Sequence, residues 1–138
     1  MAKKTQRTKV DPEDFASFRA MAAQFLKAAG LARDHDYWNA AGLLIVHAAI
    51  AYADAVSIRL AGVKSTGDNH QDAVLLLGQA AAREKDRDRA LGHLKRIIEE
   101  KSRVSYSGEA FRKPEIDSLE THVERFRDWC EAVLGRSG

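Results

Sequence analysis

The chain has 138 residues, enough for one hydrophobic core and too few for two domains that each need their own. With 45% hydrophobic and 30% charged residues, two prolines and nine glycines, it is neither a disordered nor a collagen-like chain. The single cysteine, Cys130, excludes an internal disulfide framework and a cysteine cluster for zinc, and it points to a reducing, cytoplasmic setting.

Net charge is +2, unevenly spread. Residues 1–10 carry Lys3, Lys4, Arg7 and Lys9 and no acid, so the other 128 residues hold 18 bases against 20 acids. Residues 1–10 are predicted to be a flexible basic tail, and residues 11–135 a single helical domain. A tail of this kind more often solubilises than binds nucleic acid. No apolar stretch follows the lysines before Asp11, so no signal peptide is expected. The apolar run over residues 37–53 is shorter than the roughly 20 residues of a membrane span, and none is expected.

Asp11, Pro12, Glu13 and Asp14 form a helix start: an Asp to cap free amides, a Pro for the first turn, and acids at the positive end of the dipole. Phe15, Phe18, Ala22, Phe25, Leu26 and Ala29 continue at steps of three and four, predicting a first helix over residues 12–30 that ends at Gly30. Asp34 or Asp36 is placed to cap a second, very apolar helix over residues 37–60, ending at Gly62. Its apolar residues occupy two faces, one with Ala41, Ile45, Ala48 and Tyr52, the other with Leu43, Val46 and Ile50 beside His47 and Asp54. Such a helix lies either in the middle of a bundle or against a second subunit.

Residues 63–69 read as a loop whose polar side chains cap a short helix over residues 70–82, with Val74, Leu75 and Leu77 on its apolar face. The charged run at residues 83–89 reads as a solvated helix start. Leu91, Leu94, Ile97 and Ile98 then carry a helix to about Tyr106, and Ser107 and Gly108 end it. Ile116, Leu119, Val123, Phe126, Cys130 and Val133 mark the seam of a last helix after Pro114. No period-two pattern persists, so the predicted class is all-α: an up-and-down antiparallel four-helix bundle with one additional short helix.

Chemistry-bearing residues fall in three groups. His47 and Asp54 are seven apart on one helix face and, with Tyr106, are candidates for a small-molecule or nucleotide site; a hydrogen-bonded packing role is the commoner outcome for such a pair. Arg89, His93, Arg96, Glu100 and Arg103 form one polar stripe able to meet phosphate, although alternating charge more often makes a solvated face. The last helix, rich in acids, offers those arginines a partner. The serines at 102, 105 and 107 suit close packing or capping better than nucleophilic attack. No phosphate loop, nucleophile elbow or metal-ligand spacing occurs, and no metal or cofactor is expected.

The second-helix text from Trp38 to Val56, WNAAGLLIVHAAIAYADAV, the Gly62 loop leading to His70, and KSRVSY at 101–106 resemble the HEPN superfamily of small helical bundles across most of residues 12–134. The resemblance implies a homodimer. It also implies a ribonuclease of a toxin–antitoxin or defence system, or a partner of a small nucleotidyltransferase or an antitoxin. The ribonuclease motif of that superfamily is an arginine followed, after four to six residues, by a histidine. Arg103 has no such histidine after it, whereas Arg87 and His93 are separated by five residues in the charged run. The expectation is therefore a non-catalytic, HEPN-like interaction or regulatory module. The alternative is a metal-independent ribonuclease acting on RNA with His93 and Arg87 or Arg89.

Overall fold

The computed structural model describes residues 7–66, 69–108 and 110–137, the side chains of 104–107 and 137 excepted. Asp11 starts the helical part as expected: its Oδ1 accepts the Glu13 N–H at 3.0 Å, and Pro12 opens a 3-10 turn, Pro12–Asp14. Helix α1, Phe15–Asp34, follows and runs through Gly30 instead of ending there. The chain reverses at Asp36, whose φ of 59° is left-handed. The Tyr37 N–H reaches the Ala32 carbonyl and the Asp36 N–H that of Arg33, both at 2.9 Å, which is the Schellman pattern of a helix C-terminus. Asp36 therefore closes α1 and does not cap the next helix, whose N-cap Tyr37 makes no side-chain cap bond.

Helix α2, Trp38–Ala61, ends at Gly62 with φ 65°, the left-handed conformation expected there. Every residue from Ala51 to Ile58 is buried, because α1, α5 (Lys113–Ser137), α3 (Gln71–Ala80) and α4 (Arg87–Ser107) all pack on α2. Its second apolar face is thus covered within one chain, apart from Leu43 and His47 at the outer edge. Among the described residues α2 is the one helix long and apolar enough to cross a membrane, and 78% of its apolar window is buried inside the fold.

Two short strands, unforeseen in the sequence, tie the start of the chain to the end of α2. Strand β1, Arg7–Lys9, pairs antiparallel with β2, Val63–Ser65, and the Val10 N–H donates to the Gly62 carbonyl at 2.8 Å. Residues 7–10, assigned to a tail, are therefore part of the fold. Three residues per strand are too few for alternation to show as a pattern.

Asn69 Oδ1 accepts the Gln71 N–H at 2.9 Å and starts α3. Val74, Leu76 and Leu77 turn inward, whereas Leu75, expected inside, is 44% exposed. The run at 83–89 forms a solvated turn, with Asp86 left-handed at φ 61°, and then the first residues of α4. Leu94, Ile97 and Ile98 on α4 are buried, as are all six predicted seam residues of α5. Among these is the Cys130 thiol, fully enclosed, with burial pushing its pKa up.

Phe111, ahead of α5, closes the core by lying on Gly42 of α2, while its N–H donates to Asn39 Oδ1 at 2.7 Å. A Cβ on Gly42 would stand 2.5 Å from the Phe111 ring. Gly42→Ala is expected to expel that ring and cost about 1–3 kcal/mol, read as a lower thermal midpoint; an unchanged midpoint would mean the ring does not occupy this seat.

Candidate anion-binding groove

Helices α4 and α5 meet along their apolar seams, and the residues flanking a seam face each other across the groove above it. Arg89, His93 and Arg96 recur at steps of four and three on α4, and His122 and Arg125 at a step of three on α5, so each set shares one face. His93 Nδ1 lies 2.9 Å from His122 Nδ1, with ring centroids 5.2 Å apart. Two ring nitrogens at this distance share one proton: one Nδ1–H donates and the other Nδ1 accepts.

Both histidines are held below their ordinary pKa. For His93 the main cause is burial, followed by His122, Arg125 and Arg89; for His122 it is burial, followed by Arg96 and Arg125. The pair is neutral at pH 7. The ring that donates through Nδ1 keeps a basic lone pair at Nε2, while the accepting ring keeps an Nε2–H.

The pair divides two concavities. His93 faces a groove of about 480 Å³ lined also by Arg89, Arg125, Asp128 and Trp129, and the Trp129 indole N–H donates to the Lys85 carbonyl at 2.8 Å, fastening α5 to the turn before α4. His122 faces a smaller depression with Arg96, Glu99, Glu100 and Arg103.

Most of the arginines that face another helix elsewhere are engaged. Arg19 pairs with Glu131, Arg59 with Glu13 at 2.9 Å, Arg136 with Glu84 at 3.2 Å, and Arg33 bridges Asp117 at 2.5 Å and Glu120 at 3.1 Å. Arg89, Arg96 and Arg125 have no carboxylate partner among the described residues, although α5 is acidic. Of its carboxylates, Glu115 lies 3.7 Å from Arg103, Asp117 and Glu120 serve Arg33, and Asp128, which lines the groove, is engaged by Arg127 at 3.1 Å. Arg89 and Arg125 on the His93 side of the neutral imidazole pair, with Arg96 on the His122 side, leave guanidinium donors free to meet an anion.

The structure brings His93 and Arg89 together but separates Arg87 and Arg103 from them. Arg87 turns toward α3, donating to the Gly78 carbonyl at 3.2 Å and pairing with Asp88 at 2.9 Å. Arg103 pairs with Glu100 at 3.0 Å, beside His122. His47 and Asp54 do not form a joint site. His47 is exposed, its ring centroid 5.8 Å from that of Phe25. Asp54, two turns on, is buried, takes a hydrogen bond from the Ser65 backbone N–H, faces Lys64, and is pushed up by burial to about 6. The side chain of Tyr106 lies outside the described residues. Among the described residues no group of three or more His, Cys, Asp or Glu side chains could hold a metal ion.

Sequence reasoning missed His122. The signal was there in part, since His122 flanks the Leu119–Val123–Phe126 seam, but its partner depends on the register between α4 and α5. No protein family, curated protein or solved structure matches the chain.

Proposed function

We propose that the chain is a HEPN-like four-helix bundle serving as a cytoplasmic interaction or regulatory module, without catalysis of its own, that holds an anionic protein partner on its α4–α5 groove. The observation that carries it is the absence of a carboxylate partner for Arg89, Arg96 and Arg125 among the described residues. Surface arginines are normally screened by local acids, and a face that leaves three of them open gains when an acidic surface docks. An antitoxin or a small nucleotidyltransferase is the kind of partner the HEPN resemblance implies. A homodimer belongs to the same proposal, supported now by the exposed Leu31, Tyr37 and Leu43 beside the α1–α2 turn, because the second face of α2 needs no second subunit. Tagged chain isolated from its own host is expected to retain a protein that Arg89→Gln/Arg96→Gln/Arg125→Gln releases; equal retention by the variant would refute the proposal. Light scattering is expected to give about twice 15.3 kDa.

The His93–His122 bond favours a second reading, a metal-independent ribonuclease. One Nε2 is a base for a 2′-hydroxyl and the other an acid for the leaving oxygen, with arginines for the phosphorane charge. On the binding-module proposal, purified protein leaves single-stranded RNA intact in the presence of chelator. Cleavage that copurifies through several columns and is lost in both His93→Ala and His122→Ala would establish the enzyme instead.

A further inference from the structure

A hydrogen bond between two like nitrogens holds one titration step in reserve. In the neutral pair, one of the two rings keeps an Nε2 lone pair, and a second proton can add there. That ring becomes an imidazolium whose charge is shared through the Nδ1–H···Nδ1 bond, and both rings then present an Nε2–H. Against this step stand Arg89 and Arg96 from α4 and Arg125 from α5. Lys85 and Arg136, the latter paired with Glu84, also line the His93 groove, and Arg103 the depression beside His122. In its favour are Asp86 and Asp128 on the first and Glu99 and Glu100 on the second, but Asp128 is drawn to Arg127 at 3.1 Å and Glu100 to Arg103. An anion seated between Arg89 and Arg125 in the His93 groove would offset the part of the opposition that comes from these two charges, burial supplying the rest. Proton and anion must then bind cooperatively, since each raises the affinity for the other by the same factor.

The donor set also narrows the anion. A carboxylate has two oxygens and one charge, and it would leave an arginine unanswered. A tetrahedral dianion offers several oxygens to a set of guanidinium forks and an imidazole N–H. We propose that the α4–α5 groove is a proton-coupled site for a phosphoryl dianion, in which Arg89 and Arg125 take the phosphoryl oxygens while the His93–His122 pair takes up one proton from solvent. Inorganic phosphate and a phosphate monoester on a partner share this chemistry. The inference rests on the anionic-partner proposal and assigns the group that the partner or a small ligand presents.

Calorimetric titration of the full chain with sodium sulfate, inorganic phosphate and phenyl phosphate tests it. Sulfate stays a dianion from pH 6 to 8, so any pH dependence of its binding belongs to the protein. Its affinity is expected to rise about tenfold from pH 8 to pH 6, with net proton uptake when buffers of different ionisation heat are compared at pH 7. Arg89→Gln and Arg125→Gln should each weaken all three anions about tenfold or more, with helicity by circular dichroism unchanged. The double variant His93→Gln/His122→Gln should still bind sulfate at pH 8 but lose the pH dependence. Tighter binding of phenyl phosphate than of inorganic phosphate would assign the site to a monoester, and equal binding to the free ion. Arginine-dependent sulfate binding with no proton uptake overturns the proton coupling and leaves the anionic-partner proposal standing. No binding of any of the three anions overturns the phosphoryl site. Retention of the protein partner by the triple arginine variant overturns the earlier proposal separately.

Discussion

Phe126→Ala is expected to destabilise the fold by about 3–5 kcal/mol, because the ring is fully buried on the α5 seam and its removal leaves a cavity in the core. The ring sits among Leu119, Val123 and Cys130 along α5 and stacks on Trp129, with centroids 6.2 Å apart. Leu94→Ala, across the seam on α4, should cost about 2–5 kcal/mol for the same reason. Leu75→Ala on the exposed face of α3 should cost less than about 0.5 kcal/mol. Denaturant midpoints for the three variants check the helix phases together. A Leu75 effect as large as that of Leu94 would mean α3 is rotated.

Asp54→Asn is expected to stabilise the protein at neutral and alkaline pH. Burial raises the carboxyl from 3.8 in the unfolded chain to about 6 in the folded one. Such a group favours folding fully below about pH 4, and the benefit is lost as pH rises through 6. At pH 7 and above, ionised Asp54 therefore costs roughly 3 kcal/mol, the equivalent of the shift. Asparagine removes the charge and retains an oxygen for the Ser65 N–H. The variant should unfold at a higher temperature than the native protein at pH 8, with the gap closing by pH 4; a gap of equal size at both pH values would show that the charge is not the cause.

Where a signal repeats, the sequence was enough. The three- and four-residue steps from Ile116 to Val133 on α5 correspond to six buried side chains, and the uniform apolarity of α2 marks the element that every other helix packs on. Single-residue choices were less legible. Gly30 and Asp36 both tolerate the turn that ends α1, and the Tyr37 and Ala32 backbone groups decide between them by meeting across Asp36. Likewise, Leu75 and Leu76 are chemically identical neighbours, and only the rotation of α3 separates them. The candidate site failed for a related reason. Arg89 and His93 were visible as one stripe of a single helix, but their meaning depends on which α5 residue stands opposite, and that depends on how far α4 and α5 slide past one another. Charge counting misled as well: α5 is acidic in total, yet Glu131, Asp117, Glu120 and Glu115 face α1 and the end of α4, and of its described acids only Asp128 lines the His93 groove, where Arg127 engages it.

Cys130 gives the molecule a built-in clock. It is the chain's one thiol, wholly enclosed beneath α5, and its thiolate is disfavoured in the native state. An alkylating reagent therefore has a single target, and it reaches that target only when the α5 seam parts. The labelling half-life of the native chain would report the opening of this helix without any engineered probe, and a tightly held ligand on the outer side of α4 and α5 would lengthen it.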